Sequence, residues 1–445
     1  MTVLTDILRS RGNGLILLVC LGVLANFNCS RTEAIDLTFA FGPDDSGAIA
    51  SLIEDFNRQH KRDIHINWLE GARASNEFFR QIAQDIRAET PQMDIIAADV
   101  VWTAALASEG WVQDLTSRFF EEYPDQDFLQ TSLDACGYQS RIWGVPWYAD
   151  AGILFYRKDL LEKHGYTQAP KTWEELRDVS LTIMEQEGMT NGMVFQGANY
   201  EGGVVNACEF IWNAGGELLI SDLSAGAGLG EDDQELTIIT VNSEAAKAGL
   251  GEAVNLIESG VTPGEVAYFK EQESTDLFAQ GEAIFMRNWP TAFPRLLGED
   301  RLSPKQIGVA ALPVSRADLP SSNCLGGWNL ALNQRMDPAK LEAAWTFINF
   351  LTAPEQQWTL ALEGGTLPSL SALYQDSDLL EESPILSAAY EALMSARKRP
   401  VTPSYLQIAP DLAWSFHEVL KGNLNPTEAV ETMQGHMEGS LATTK

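Results

Sequence analysis

Three strand-then-helix steps follow one another near the amino terminus, and this alternation limits the possible folds more than any other feature. Strand patterns occur at 34–42 (AIDLTFAFG), 64–71 (IHINWLEG) and 93–102 (MDIIAADVVW). The segments between them, 46–60 and 76–89, repeat apolar residues with a helical period. Successive β-α steps predict a parallel sheet covered by helices. We therefore expect an α/β fold.

The ends of these strands are where a ligand site is expected. In open α/β sheets, ligands bind in the crevice beyond the carboxyl ends of the strands. The residues at those positions are Gly42 to Asp45, Glu70 to Arg73, and Asp99. They supply carboxylates and a guanidinium, which suit a polar ligand.

Helical patterns continue through the rest of the chain. Residues 171–188 are predicted to form a helix with Thr172 as its N-cap and Glu175 as the capping-box partner. Residues 243–259 and 337–362 are also helical by period. The segment CEFIWNAGGELL is predicted to be a helix that two glycines interrupt.

The charge balance excludes two classes of partner. The 445 residues include 62 acids against 30 Lys plus Arg, a formal net charge of -32. Nucleic acids and anionic membrane surfaces would repel such a protein. The cluster Glu231, Asp232, Asp233 could hold calcium, but it lacks EF-hand spacing, and a solvated loop is favoured. We predict no metal site and no cofactor.

The amino terminus has the layout of a secretory signal. Arg9 and Arg11 precede an apolar run, 15–24, that is too short to span a bilayer stably. Residues 1–28 are therefore predicted to be a signal peptide. Cys29 stands where a lipoprotein carries its lipid, although residues 26–28 (NFN) fit a lipobox poorly. Lipid attachment at Cys29 and plain cleavage are both open, and lipid attachment is favoured.

Motifs for familiar catalysis are missing from the sequence. It contains no G-x-S-x-G, no H-E-x-x-H and no P-loop pattern. Beyond the signal, Cys136, Cys208 and Cys324 allow at most one disulfide and give no zinc spacing. No catalytic residue is predicted.

Aromatic residues next to polar ones recur at predicted loop positions. The segments are VVWT, VPWYAD, RNWPTAF, GGWNLAL and RPVTPSY. Sugar rings stack their apolar faces on aromatic rings, while their hydroxyls need directional donors and acceptors. One such segment indicates little, since a Trp is more often core packing. Five together favour a carbohydrate site.

Several longer segments resemble one protein family over nearly the whole mature chain. They include PQMDIIAADVVWTAALASEGWVQDLT, GVPWYADAGILFYRKDLLEKHG, KTWEEL, FAQGEAIFMRNWP, IGVAALPV, GGWNLALN and AAWTFINFLTAPEQQ. In this order they are similar to the family 1 extracellular solute-binding proteins of ABC sugar importers. The sequence resembles the trehalose/maltose-binding branch, which includes cyanobacterial binding proteins for glucosylglycerol, sucrose and trehalose.

The resemblance implies a two-lobe periplasmic-binding-protein fold with hinge crossings and a ligand cleft between the lobes. The expected N-terminal lobe is 29–150 and 313–351, and the expected C-terminal lobe is 151–312 and 352–445. Crossings are therefore expected near Asp150 to Gly152, near Leu312 to Pro313, and near Phe350 to Thr352. Closure of the lobes over a sugar would be a rigid-body motion.

The resemblance also implies which residues contact the ligand. The early acid of the family is commonly Glu, and here Asp44 or Asp45 takes its place. The late Arg falls on Arg399, with Arg397 as the alternative. The ligand-binding residues implied are Asp44, Asp45, Arg73, Asp99, Tyr148, Asp150, Trp289, Gly327, Trp328 and Arg399.

The resemblance implies a periplasmic, monomeric binding protein that captures a small glucoside and works with ABC permease subunits. Two rival classes are weighed against it. A secreted glycoside hydrolase would also place carboxylates beside tryptophans, but it needs a carboxyl group with a raised pKa that the sequence does not identify. An adhesin would show repeats or low-complexity stalks, and the sequence has none.

Overall fold

A computed structural model describes residues 34–125, 127–222, 236–298 and 301–442. The predicted signal peptide, Cys29 and the acidic cluster at 231–233 lie outside the described residues. Among the helices in these ranges, none combines the length and apolar character needed to cross a bilayer.

The described chain contains fifteen strands and seventeen α-helices. The strands are β1 Ile35–Phe41, β2 Ile64–Glu70, β3 Ile95–Asp99, β4 Gly137–Tyr138, β5 Arg141–Ile142, β6 Val145–Ala151, β7 Ile153–Arg157, β8 Asn191–Val194, β9 Leu219–Asp222, β10 Leu236–Ile239, β11 Ala283–Asn288, β12 Ile307–Ala310, β13 Asn323–Leu332, β14 Leu367–Pro368 and β15 Ala396–Arg397. The helices are α1 Ala48–Gln59, α2 Ser75–Arg87, α3 Thr103–Ser108, α4 Thr116–Glu122, α5 Gln130–Cys136, α6 Lys158–Lys163, α7 Trp173–Glu187, α8 Glu201–Trp212, α9 Glu244–Glu258, α10 Glu271–Ala279, α11 Phe293–Leu296, α12 Leu341–Thr352, α13 Pro354–Glu363, α14 Ser377–Glu382, α15 Leu386–Met394, α16 Tyr405–Leu420 and α17 Pro426–Ala442.

The larger sheet has the order β14-β6-β13-β3-β1-β2, with β15 paired to β13. Strand β1 runs parallel to both β2 and β3. The three predicted β-α steps are therefore confirmed. The sheet is mixed rather than purely parallel, because β13 runs antiparallel to β3 and β6. The α/β class predicted from the alternation is correct.

A second sheet has the order β12-β7-β11-β8. Strand β7 runs antiparallel to its neighbours β11 and β12, while β11 and β8 are parallel. The chain passes from the larger sheet to the second at Gly152, between β6 and β7. It returns to the larger sheet between β12 and β13.

The boundary expected at residues 351 and 352 does not coincide with a change of sheet. Strand β14 pairs with β6 at Leu367 and Ala149, and α13 packs on α1 of the larger sheet. Strand β15 then pairs with β13 at its start. Because 353–397 stays on the larger sheet, we propose that the third crossing follows β15.

The single helix expected over 337–362 is two helices. Ala353 has an extended backbone (φ -68°, ψ 150°), and Pro354 occupies the first position of α13. Proline disfavours helical geometry in the residue before it and donates no hydrogen bond. This local break ends α12 at Thr352 and begins α13 at Pro354.

Helix α7 begins as predicted. The Thr172 hydroxyl accepts the Glu175 N–H at 3.1 Å, and the Glu175 carboxylate accepts the Thr172 N–H at 3.4 Å. This reciprocal capping box satisfies amide groups that the first turn leaves without partners. The predicted capping pair is confirmed.

Two main hydrophobic cores lie under the two sheets. One contains Phe39, Trp147 and Phe347, and it joins the larger sheet to the helices that cover it. The other contains Phe210 of α8 and Phe416 of α16. Helices α16 and α17 pack against each other, and α16 packs on α8. The two carboxyl-terminal helices therefore cover the second sheet's side of the molecule.

Candidate functional site

One cavity of about 540 Å³ lies where the ends of β1, β2, β3 and β11 meet β6 and β13. Every residue that the sequence analysis named as ligand-binding lines it. These residues are Asp44, Asp45, Arg73, Asp99, Tyr148, Asp150, Trp289, Gly327, Trp328 and Arg399. The structure brings all ten together, while their role in binding stays a prediction.

Asp44 lines the cavity but its carboxylate is engaged by the backbone. Oδ2 accepts the N–H groups of Ile49 and Ala50 at 2.7 and 3.2 Å, and Oδ1 accepts the Gly47 N–H at 3.1 Å. These donors belong to the N-cap residue and the first turn of α1, where helices favour a negative charge. Asp44 is therefore a helix cap, and this engagement weakens its candidacy as an acceptor for a ligand.

Asp45 forms an exposed cluster with two arginines, which we call the rim cluster (Asp45, Arg73, Arg295). Arg73 donates two hydrogen bonds to Asp45, at 2.6 and 2.8 Å. Arg295 of α11 donates a third to Asp45 at 3.0 Å and another to Gln272 at 2.7 Å. Hydrogen bonding from Arg73 lowers the pKa of Asp45. The sequence predicted Asp45 and Arg73 as separate ligand contacts, whereas the structure pairs them with each other.

Asp99 belongs to a buried cluster, which we call the floor cluster (Asp99, Glu201, Arg399). Arg399 donates to Asp99 Oδ1 at 2.9 Å and also bonds Glu201. Ser75 donates to the other Asp99 oxygen at 2.7 Å. All three members of the floor cluster are less than a tenth exposed. The cluster thus joins the end of β3 to the start of α8.

The alternative arginine, Arg397, lies in a different place. It pairs with Glu217 and stacks over Trp212, with its guanidinium carbon 4.7 Å from the ring centroid. Arg397 does not line the cavity, whereas Arg399 does. The structure therefore selects Arg399 from the two alternatives for the cavity.

Glu201 is the residue of the floor cluster that the sequence analysis missed. Burial raises its pKa, against the opposing effect of Arg399, and Tyr405 donates a hydrogen bond to it. Sequence reasoning placed a helix at 208–219, but α8 begins at Glu201. The start was hidden by Gly202 and Gly203, which are poor helix formers. A Cβ on Gly203 would lie 2.4 Å from a backbone oxygen, so tight packing explains this glycine.

Tyr148 and Asp150 lie two residues apart on β6, so their side chains are on the same face of the strand. Both are buried, at 7% and 6% exposure. Burial raises the pKa of Asp150 well above its usual range, although the Ala151 N–H donates to it at 3.1 Å. Burial likewise raises the pKa of Tyr148, and Asp150 adds to the effect. Both residues line the cavity, where their side chains could bond a ligand hydroxyl.

Trp328 on β13 is partly buried and held by other aromatic rings. Its ring meets Phe41 and Trp102 edge to face, with centroids 5.2 and 5.6 Å apart. Phe78 lies at 6.1 Å in a tilted arrangement. Such contacts fix the ring plane. Trp328 therefore presents a rigid surface to the cavity.

Trp289 follows β11 and comes from the other sheet. The guanidinium carbon of Arg287 lies 4.2 Å from the centroid of its ring. A Cβ on Gly326 would be 2.8 Å from the Trp289 ring. Gly326 was not predicted as a site residue, and its role here is to leave room for that ring.

Gly327 supports the site through its backbone. Its φ is 112°, a conformation that side chains disfavour, and a Cβ would lie 2.4 Å from the Tyr148 carbonyl oxygen. A register shift follows between Trp328 and Asn329. The glycine therefore permits the close approach of β13 to β6 next to Trp328.

The described residues hold no group of acids, histidines and cysteines arranged for a metal ion. Cys136, Cys208 and Cys324 are free and buried. Burial raises the pKa of all three thiols. They pack as small apolar side chains.

Comparison with known proteins identifies the family. The bacterial extracellular solute-binding protein family matches residues 42–358. The chain belongs to this family. A probable ABC transporter-binding protein of Deinococcus radiodurans is 31% identical over 361 residues, which are 80% of this chain and 81% of that protein. The predicted relationship to solute-binding proteins of ABC transporters is confirmed.

Solved structures agree on the fold. Maltose-bound MalE3 of T. maritima is 30% identical, has a TM-score of 0.82, and aligns over 91% of this chain and 100% of that chain. A ribitol-bound solute-binding protein of Agrobacterium radiobacter is 23% identical with a TM-score of 0.76, over 92% and 99%. The predicted two-lobe binding-protein fold is therefore confirmed.

The same family membership decides against the hydrolase. Asp150 and Glu201 do have raised pKa values, which is the property that a proton-donating carboxyl group of a glycosidase would need. However, the matched relatives are solute-binding proteins rather than enzymes. Burial without a catalytic role accounts for both shifts. This protein is a binding protein of an ABC transporter.

Proposed function

We propose that this protein captures a small uncharged glucoside in the cavity and delivers it to the membrane permease of an ABC importer. Glucosylglycerol, trehalose, sucrose and related sugars are the candidate ligands, as expected for the trehalose/maltose-binding branch. The sugar ligand is supported most by one observation: Trp328 and Trp289 reach the same cavity from different sheets. One sugar ring could then stack on both tryptophans at once only when the lobes are closed.

The cavity size suits a ligand of about two sugar rings. Its volume of about 540 Å³ lies in the ordinary range for small-molecule sites. Asp150 and the floor cluster would accept and donate hydrogen bonds to the hydroxyl groups. A charge-assisted hydrogen bond contributes about 1.5 to 3 kcal/mol, or roughly ten- to hundredfold in affinity.

The charges of the lining support a neutral ligand. Eight acidic and four basic residues line the cavity, and the basic residues Arg73, Arg295 and Arg399 are already paired with carboxylates. A phosphorylated sugar would meet a surplus of negative charge. Distant relatives in Shigella carry the name sn-glycerol-3-phosphate-binding protein. We propose that this chain does not share that ligand.

Isothermal calorimetry against glucosylglycerol, trehalose, sucrose, maltose and sn-glycerol-3-phosphate tests the proposal. We expect one-to-one binding of at least one neutral glucoside and none of the phosphate ester. Each mixture is then assayed for released glucose. Failure of every neutral sugar to bind, or turnover of any of them, would contradict the proposal.

The remaining proposals concern the setting of the protein. We propose that it is a monomer that works in the periplasm, anchored by a lipid at Cys29. Family membership supports an extracellular or periplasmic site of action. Mass spectrometry of membrane-extracted protein tests the anchor, since a diacylglyceryl group adds a defined mass and Cys29→Ala should release the protein.

A further inference from the structure

Behind Trp289 lies a buried ion pair that the ligand-binding residues do not include. Arg287 on β11 donates to both carboxylate oxygens of Glu209 on α8, each at 2.7 Å. The two side chains are 2% and 3% exposed. A third nitrogen of Arg287 donates to Gln196 at 3.2 Å. This two-point geometry restricts rotation of the guanidinium plane.

Arg287 contacts the sugar-side tryptophan directly. Its guanidinium stacks on the Trp289 ring at 4.2 Å from the centroid, and the ring lies against Gly326. Gly326 and Arg287 thus confine the ring. If Arg287 moves, the ring loses a cation–π contact and a packing surface together.

Glu209 connects the same pair to the point where the chain changes sheet. One of its oxygens also accepts the Cys324 N–H of β13 at 3.0 Å. The Cys324 carbonyl in turn accepts the Gly152 N–H at 3.1 Å. Gly152 stands between β6 and β7, and a Cβ there would lie 2.0 Å from Glu209 and 2.4 Å from Arg287. A change in the angle between the two sheets at Gly152 must therefore either move Glu209 together with β13 or break the hydrogen bond between Glu209 and the Cys324 N–H.

We propose that Arg287 and Glu209 are positioning residues for the ligand cleft. They hold the Trp289 ring in its stacking position and connect that position to the chain crossing at Gly152. Because the proposed ligand stacks on Trp289, the part of this inference that concerns affinity rests on the proposed function. The part that concerns the ring does not.

The variant Arg287→Met with Glu209→Gln tests the pair without leaving a buried charge. Removal of one partner alone would strand a charge and unfold much of the protein, whereas removal of both avoids this. The glutamine keeps an oxygen for the Cys324 N–H. The control is Arg157→Met with Asp159→Asn, which removes another bidentate pair, between the end of β7 and α6, with bonds of 2.8 and 2.7 Å, outside the cavity lining.

Acrylamide quenching of unliganded protein measures the ring itself. Each protein is compared with a second version that also carries Trp289→Phe. The difference in quenching between the two versions isolates the signal of Trp289 from that of the other tryptophans. We expect the Trp289 quenching constant to rise at least twofold in the test variant and to stay unchanged in the control pair. An unchanged constant in a folded test variant overturns the proposal.

Trehalose affinity by calorimetry is the second readout. We expect at least tenfold weaker binding in the test variant and less than twofold change in the control. An equal loss in both would overturn the proposal, since it would show a general effect of removing a bidentate ion pair. If wild-type protein binds no sugar, the proposed function fails, and the quenching result still decides whether the pair positions the ring.

Arg287→Lys serves if the double variant does not fold. Lysine keeps the charge but not the planar two-point contact with Glu209. We expect an intermediate rise in the quenching constant of Trp289. Wild-type quenching in this variant overturns the proposal.

Discussion

The floor cluster and the rim cluster of the cavity use the same side-chain types in opposite settings. Arg399 is 4% exposed and bonds Asp99 and Glu201, while the Arg73 side chain is 57% exposed and bonds Asp45. Removing one partner of a buried ion pair costs much stability, whereas an exposed ion pair contributes little to stability. The comparison teaches that residues predicted together by sequence should differ greatly in what their removal costs.

Arg399→Met should have the largest effect. Loss of the arginine leaves two buried carboxyl groups without their cation, which costs about 3 to 5 kcal/mol in comparable pairs. We expect a large fall in the thermal midpoint and no measurable glucoside binding. The control is Arg397→Met, two residues away, which removes a partly exposed pair with Glu217. Similar thermal midpoints for the two variants would show that the buried floor cluster contributes no more to stability than the partly exposed pair.

Trp328→Ala should come next, because this ring is both a packing group and the proposed sugar platform. Truncation of a well-packed tryptophan costs roughly 3 to 5 kcal/mol at full burial, and Trp328 is only partly buried. We expect a smaller stability loss than this, together with at least a tenfold loss of affinity. Trp289→Ala should lose a similar affinity with less effect on the thermal midpoint, since no aromatic ring packs edge to face on Trp289 in the described chain. Equal destabilisation by both variants would contradict the difference.

Asp150→Asn should separate stability from binding. Burial raises the pKa of Asp150, so at a pH between the ordinary and the folded pKa the folded state binds a proton that the unfolded state has lost. The stability from this group is present below the ordinary pKa near 3.8 and is lost as pH rises through the folded pKa. We expect the asparagine variant to flatten this part of the pH profile and to be more stable at neutral pH. Its glucoside affinity should fall about ten- to hundredfold.

Chemical denaturation across a pH series measures the first expectation, and calorimetry measures the second. An Asp150→Asn variant that is less stable than wild type at neutral pH would show that interactions with the carboxylate outweigh the cost of burying its charge. Wild-type affinity would remove Asp150 from the proposed binding residues.

The sequence predicts the fold and the membership of the site better than it predicts what each site residue does. Strand ends are readable from periodicity, and they placed Asp99 correctly at the end of β3. The resemblance placed Trp289 and Trp328 on the cavity wall. Which charges neutralise one another depends on contacts between distant segments, as in the bond between Arg399 and Glu201, which lie 198 residues apart.

The one residue of the floor cluster that the sequence did not identify has a local physical cause. Glu201 was hidden because two glycines follow it, and they mask the start of α8 until packing explains them. The third crossing stays a prediction: the sequence placed it next to the helix break at Pro354, and we propose a later position, after β15. The pairing of β14 with β6 and of β15 with β13 keeps this part of the chain on the larger sheet.

Asp45→Asn should have the smallest effect and defines the lower end of the comparison. The carboxylate bonds Arg73 and Arg295 at the exposed rim, and such pairs contribute about 0 to 1 kcal/mol. We expect an unchanged thermal midpoint and less than a fivefold change in affinity. Ligand release, measured by stopped-flow fluorescence, should be faster than in the wild type. High salt should speed up release from the wild-type protein in the same way, because it screens the exposed charges. Arg58→Met, which removes an exposed pair with Asp55 outside the cavity lining, is the control. An affinity loss as large as that of Asp150→Asn would mean that Asp45 bonds the ligand directly, as the sequence alone suggested.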